Sequence, residues 1–424
     1  MVDITRRKFL TTVSIGAGVA ATGFIPSPFT GLARAAGEGD ETYKVGLITA
    51  LSGSGASLGQ PMLVGAKIAV EQINASGGVN GKPLELLVRD SRAKPADATV
   101  AARELVGEGC NLLFGAVSSS VALAITGILP QLNATLITCA AHSMKLTKEN
   151  FNKHYFRITD NPYMRERAIA KLMAEEYPSV TKWGGLIPDH EYGRTTWSAF
   201  KHGLNEYYPQ ITGVDPSVAR PILTQYGASD FRNYIASAMT GPSEGFFVSV
   251  YAGEAVTLFQ QAKAYGFFSK AKVIVDSANE FIVAKAMREE MPEMWVGSHW
   301  YYGAFEGNEI SDRLYERVVE VTGDKTPMGF VSEAHSAVLA YAAALEKSGT
   351  SDTQSVISAL EGLTFETATG PRTIRAEDHQ TIKPVVLYKL RGANNADGFE
   401  VLETRIVKGE DVIDPPTPGK AINL

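Results

Sequence analysis

Short apolar runs separated by stretches of helical period recur from Tyr43 almost to the C-terminus, and that order admits few architectures. Lys44-Val45-Gly46-Leu47-Ile48-Thr49 is strand-like, and 61–74 then sets Val64, Ile68 and Ile73 at helical spacing and closes on Gly77-Gly78. A strand over 84–88, a helix with Pro95 near its start, a strand over 112–115, a helix over 121–132 and a strand over 134–138 follow. The alternation resumes after Arg157, with helices over 165–176, 194–207 and 255–265 and strands over 183–187, 245–250 and 272–275. Strand, helix, strand in sequence makes a parallel sheet covered by helices. The fold class is therefore α/β, and two such sheets in one chain imply two lobes. Further strand-like runs lie at 295–298, 373–375 and 384–390, and helices at 311–322, 331–347 and 353–360. The tail from Phe399 onward reads as a surface segment.

The first 35 residues belong to a different regime. Thr5-Arg6-Arg7-Lys8-Phe9-Leu10 precedes a moderately apolar run to Ile25 and then Ala33-Arg34-Ala35-Ala36. A charged start, an apolar middle and small residues before a cleavage point are the parts of an export signal, and the paired arginines are its twin-arginine form. Gly16, Gly18, Gly23 and Pro26 make the segment a poor membrane span. Residues 1–35 are expected to be removed, and the mature chain from Ala36 to be periplasmic. The signal carries Arg6, Arg7, Lys8 and Arg34 against Asp3, a net +3, so the whole-chain charge of −6 leaves −9 on the remainder. That balance argues against nucleic-acid binding, which needs a basic face.

Cys110 and Cys139 are the two cysteines. They stand just before and just after two short apolar runs. If those runs are neighbouring parallel strands, the thiols lie about 15 Å apart, beyond the roughly 7 Å that bridged Cα atoms allow, and both cysteines are expected free.

Candidate site residues cluster after strands. Gly53-Ser54-Gly55-Ala56-Ser57-Leu58-Gly59 imitates a dinucleotide fingerprint, but its third glycine is one residue late and Asp90 is too distant for the ribose acid. A turn that lets backbone approach a ligand is the preferred reading. Ser118, Ser119 and Ser120 open a helix, where orphan N–H groups and the helix dipole suit a carboxylate; helix capping alone needs one serine. Ala140, Ala141 and His142 occupy the same end of the following strand, and His142 donates to a ligand carboxylate or caps the next segment. Tyr192, Tyr251 and Trp300-Tyr301-Tyr302 stand at strand ends, where aromatic rings make ligand walls. Asp189-His190-Glu191 fits no zinc spacing, so no metal is expected. The serines lack a G-x-S-x-G elbow and a nearby base, which argues against an enzyme.

From Tyr43 to Leu390 the chain resembles the periplasmic solute-binding proteins of ABC transporters, in their leucine/isoleucine/valine-binding branch. The resemblance rests on Val45-Gly46 through Leu51-Ser52-Gly53, and on Gly65 with Ala69-Val70-Glu71-Gln72-Ile73-Asn74 and Gly77-Gly78. Tyr192-Gly193 and Gly370 through Arg375 to Glu377-Asp378-His379-Gln380 complete it. It implies the type I periplasmic-binding fold, two lobes joined by a three-stranded hinge that closes on a small-molecule solute, with a membrane permease as partner. Crossovers near Arg157-Ile158, Ser298-His299 and Ile382-Lys383 would give one lobe from 43–157 plus 299–382 and another from 158–298 plus 383–424. By position, Ser119 would bind a ligand carboxylate, Ala140 and Ala141 would offer backbone groups, and Tyr192 and Tyr251 would reach from the second lobe. His142 stands where the family usually has Thr. The acid expected to hold an α-ammonium falls at or near Ser277, with Asp276 its immediate acidic neighbour. The cargo is then a branched-chain or hydrophobic amino acid or an aromatic carboxylate, with amides and urea as the alternative. A monomer without cofactor is implied. A ligand sensor of the same fold and an exported cofactor-dependent redox enzyme are the rival readings.

Overall fold

The computed structural model describes residues 42–421; the expected export signal and its cleavage point lie outside them. Among the described residues no helix is long and apolar enough to cross a membrane.

Two sheets organise the chain. The first is five-stranded and wholly parallel, built from β1 (Tyr43–Thr49), β2 (Leu84–Asp90), β3 (Leu112–Gly115), β4 (Thr135–Thr138) and β5 (Tyr155–Arg157) in the order β2-β1-β3-β4-β5. The second takes β6 (Lys182–Pro188), β7 (Ser217–Val218), β8 (Ile222–Thr224), β9 (Gly245–Val248), β10 (Val273–Asp276) and β11 (Met294–Ser298). A small antiparallel sheet holds β12 (Thr364–Thr367), β13 (Gly370–Ile374) and β14 (Thr381–Ile382). The chain then returns to the second sheet as β15 (Val385–Gly392) and β16 (Phe399–Val407), giving the order β16-β15-β11-β10-β9-β6-β7 with β8 also on β6.

The expected α/β class with parallel sheets and covering helices is what forms. The tail is a correction. Residues 399–407 are a full strand, antiparallel to β15 from Val385↔Val407 to Gly392↔Phe399. Phe399 and the partly buried Val401 pack on the core beneath while Leu402 and Ile406 stay exposed, so an edge strand with apolar residues on both faces shows no clean alternation. The helix expected over 121–132 breaks into Ser119–Thr126 and Leu129–Leu132, with Pro130 in the first turn of the second piece. Cys110 and Cys139 are free and buried, as the strand geometry required.

Glycine decides one packing contact. The helices Ala56–Ala75 and Phe330–Ser348 cross so closely at Gly65 that a Cβ there would stand 1.9 Å from the carbonyl oxygen of Val331. Gly65→Ala should therefore destabilise the protein by about 1–3 kcal/mol despite alanine's better helix propensity, read as a lower urea midpoint at unchanged m-value. Burial pushes the Cys110 thiol up to about 12 and the Cys139 thiol higher still. Neither should react with a thiol reagent in the native protein, and both should react in denaturant.

Candidate functional site

In a sheet of order 2-1-3-4-5 the connections leave β1 and β3 in opposite directions, which opens a crevice beyond their C-terminal ends. β6 and β9 make the equivalent switch in the second sheet. A cavity of about 380 Å³ lies where these ends meet, lined by residues that follow β1, β3, β4, β6, β9, β10 and β11.

From the first sheet come Ser118, Ser119, Ser120, Ala140 and His142. Ser118 sits at the N-cap of the helix Ser119–Thr126 yet makes no side-chain cap bond, so capping does not explain the serine run. Its hydroxyl instead pairs with that of Ser120 at 2.9 Å. Ser119 Oγ accepts the backbone N–H of Ser143 at 3.0 Å, tying the loops after β3 and β4 together. Ala141 does not line the cavity; its side chain is buried in the core beside Leu113 and Leu146.

From the second sheet come His190, Tyr192, Tyr251 and Ser277. Gly193 lets the helix Glu191–Thr212 start against its own strand, since a Cβ there would lie 2.2 Å from the Pro188 carbonyl oxygen. That start sets Tyr192 edge-on to Tyr251, with centroids 5.7 Å apart at 86°. The hydroxyl of Tyr251 reaches Nε2 of His190 at 3.5 Å. Ser277 is buried and lines the cavity, its hydroxyl between Tyr192 and Glu166. Asp276 is off the wall, its Oδ1 taking the backbone N–H groups of Ala278 and Asn279 and the Asn279 amide reaching both its oxygens. Burial raises it to about 6.

Trp300, Tyr301 and Tyr302 do not line the cavity. Trp300 is core and donates to Ser311 Oγ at 2.9 Å, Tyr301 packs on Phe281 and Tyr388, and Tyr302 stacks on Tyr315 at 4.0 Å.

Arg165, His299 and Phe330 are wall residues that sequence reasoning missed. Arg165 carried a signal: it shares the register of Ile169, Leu172 and Met173, the buried face of its helix. A cation on such a face needs a partner. Asp160 supplies it through two bonds, Nε to Oδ2 at 2.7 Å and Nη2 to Oδ1 at 2.8 Å. Lys383 stands 3.5 Å from the same carboxylate and 3.2 Å from Glu333, which in turn holds Arg372 at 2.8 and 2.9 Å. Burial alone would raise Asp160, but Arg165 and Lys383 outweigh it and hold its carboxyl well below the usual range.

His142, Asp160 and His299 bring potential ligand atoms within 4.8 Å of one another. Asp160 spends both oxygens on Arg165, and the two guanidinium and ammonium charges beside it oppose a divalent cation. The cluster is a poor metal site. Asp160→Asn would leave Arg165 buried against an uncharged amide, and a stability loss of about 3–5 kcal/mol is expected, measured by chemical denaturation at pH 7.

A family model for the periplasmic binding proteins matches residues 42–397. The leucine-, isoleucine-, valine-, threonine- and alanine-binding protein of Pseudomonas aeruginosa is 28% identical over 336 residues, 78% of this chain and 85% of that protein. A Leu/Ile/Val-binding protein homolog of Brucella abortus is 24% identical over 403 residues, 91% of this chain and 93% of that one. Among solved structures, the closed form of a Brucella ovis leucine-, isoleucine-, valine-, threonine- and alanine-binding protein superposes at a TM-score of 0.77 with 21% identity, covering 90% of this chain and 99% of that chain. An ABC-transporter solute-binding protein of Rhodopseudomonas palustris, in complex with 3,4-dihydroxybenzoic acid, superposes at 0.74 with 19% identity, covering 88% and 99%.

Proposed function

The chain belongs to the periplasmic binding protein family, and from that premise we propose that it captures a small organic solute outside the cytoplasm and delivers it to the permease of an ABC importer. It is a substrate-binding protein and not an enzyme. The observation that carries the proposal is the cavity at the facing switch points, whose walls come from the loops of two separate sheets. Neither set of loops alone can remove a solute from water; both together can.

The two lobes are 43–157 plus 299–382 and 158–298 plus 383–424. They move about the connections that follow β5, β11 and β14, and closure completes the site. Export through the segment 1–35 brings the protein to the compartment where the permease's outer face is reached, and a monomer serves that role. Ser118, Ser119 and the backbone at Ala140 offer hydrogen bonds from one side. Tyr192, Tyr251 and Ser277 close from the other. Their mixture of rings and hydroxyls suits a branched-chain or hydrophobic amino acid or an aromatic carboxylate. Both classes appear among the similar proteins: one relative is named for leucine, isoleucine, valine, threonine and alanine, and the Rhodopseudomonas palustris neighbour holds a dihydroxybenzoic acid.

A thermal-shift screen of the purified protein tests this with leucine, valine, phenylalanine, benzoate, 3,4-dihydroxybenzoate, acetamide, urea and a nicotinamide dinucleotide. A true ligand at 100 times its Kd adds about 2.7 kcal/mol of stability. Stabilisation by an amino acid or an aromatic carboxylate is the expected outcome; stabilisation by the dinucleotide alone would sink the binding-protein reading. Ser119→Ala should weaken the ligand so found about 10- to 100-fold, the worth of one hydrogen bond to a charged group, with a modestly lower unfolding midpoint in its absence because the Ser143 N–H loses its acceptor. Unchanged affinity would remove Ser119 from the site.

A further inference from the structure

Two imidazoles meet on the cavity wall. Nε2 of His142 lies 3.3 Å from Nε2 of His299, and the ring planes are near parallel, at 8° with centroids 5.3 Å apart. The contact is an N–H···N bond, which holds one proton. The next link fixes on which ring that proton sits. Nδ1 of His299 is 3.0 Å from Oε1 of Glu280, which also accepts the His299 backbone N–H at 3.0 Å, while Oε2 accepts the N–H of Gly329. A carboxylate that takes a backbone N–H on each oxygen and faces Nδ1 of His299 places the His299 proton on Nδ1. His299 then offers a lone pair at Nε2, and His142 donates from its own Nε2. Nδ1 of His142 then carries that ring's lone pair.

The surroundings are short of negative charge. Arg157, Arg165, Lys383 and Arg372 are all buried around this chain of groups; among the described residues Asp160 and Glu333 form ion pairs with them, and Glu280 adds its charge near Arg165. Arg157 is satisfied by Tyr155, Gln380 and the Ser143 carbonyl, with no acid. On the wall itself the sole carboxylate is Glu191, which is paired with Lys145 at 3.2 Å. Asp276 is consumed by its own loop, and Glu166 is off the wall, its carboxyl pushed well above the usual range by burial. An ammonium group entering the cavity meets no free acid.

We propose that the His142–His299–Glu280 chain fits the cavity for an organic monoanion that lacks an ammonium group, captured together with one proton from solvent. This deepens the solute-binding reading above and rests on it. The proton balance is the same by either route. One added proton at Nδ1 makes His142 an imidazolium; or the shared proton passes to Nε2 of His299, the Nδ1 proton of His299 passes to Glu280, and all three groups end neutral. In both, Nδ1 of His142 changes from acceptor to donor, and one positive charge balances one ligand negative charge.

The titrating groups face a defined set of neighbours. Arg165, Asp160, Arg157 and Lys383 surround His142, with Tyr192 stacked at 6.0 Å; Arg165, Asp160 and Lys383 surround His299, with Phe330 at 4.4 Å; Arg165 and Tyr388 face Glu280. Burial first, then Arg165, lowers His142 to about 3, and burial raises Glu280 to about 7. The empty site at mildly alkaline pH therefore lacks the extra proton, and the ligand's charge brings it in.

Titration calorimetry with 3,4-dihydroxybenzoate, benzoate and leucine, at pH 6.5 to 8 in buffers of differing ionisation enthalpy, tests the proposal. Uptake approaching one proton per benzoate is expected above pH 7, with Kd rising about tenfold per pH unit once the free site is deprotonated, and with leucine bound at least 100-fold more weakly. His142→Gln, which keeps a polar group but does not titrate, should abolish the uptake and flatten the pH dependence. Aromatic carboxylate binding without proton uptake, or leucine binding tighter than benzoate, overturns the proposal while leaving a solute-binding protein. Should no probe bind, the proposal falls too, and the thermal-shift screen decides separately whether the binding reading falls with it. Wild-type uptake is measured independently of whether the variant folds.

Discussion

Three backbone connections pass through one buried space, and the ion chain inside it is the constraint from which the site follows. Asp160 lies just beyond β5, Lys383 just beyond β14, and the Lys383 ammonium also donates to the carbonyl of His299, just beyond β11, at 3.2 Å. Arg372 reaches the carbonyl of Ile158 at 3.1 Å while gripping Glu333 with both nitrogens. Such pairs are expensive to bury and often gain little net stability over an apolar packing. What they do supply is register: each charge has one arrangement in which its desolvation is repaid, so the ends of three strands are held at fixed mutual positions. Arg165 carries that register to the cavity wall, bonding Asp160 on one side and the carbonyl of Ser277 at 3.2 Å on the other.

Most of the frame is legible in sequence because it depends on local periodicity. Buried parallel strands such as Leu112–Gly115 and Thr135–Thr138 are short unbroken apolar runs, and the helices between them carry an apolar stripe. The failures are equally physical. The edge strand Phe399–Val407 has apolar residues on both faces and so lacks the alternation that marks a strand. Trp300, Tyr301 and Tyr302 looked like ligand walls because they follow β11, yet what decides a ring's side is the packing partner it meets, here Ser311, Tyr388 and Tyr315.

The site divides the same way. Ser118, Ser119, Ala140, His142, Tyr192, Tyr251 and Ser277 all stand on the cavity wall, because position after a parallel strand is a topological property that order along the chain reveals. Arg165 and Phe330 stand on helices, and their place on the wall depends on how those helices pack. In the sequence His299 marks only an expected crossover, and the structure places it on the cavity wall. Its role hangs on partners 19 and 157 residues away, Glu280 and His142. No local pattern encodes pairs at such separation.

The two departures from the resembled family are then linked by one electrostatic argument. Replacing the usual Thr by His at 142 puts a ring nitrogen against His299, and that contact works only if one imidazole donates and the other accepts. Glu280 fixes the direction, which leaves Nδ1 of His142 with that ring's lone pair. Placing Ser277 where an acid is expected removes the group that would have attracted an ammonium and leaves Arg157 and Arg165 less compensated. Either change alone would leave a mismatch, a lone pair facing a ligand carboxylate or a bare ammonium. On the proposal above, the two changes with one added proton would make a wall of hydrogen-bond donors beside Arg165, and a monoanion is the charge state that such a pocket would desolvate at least cost.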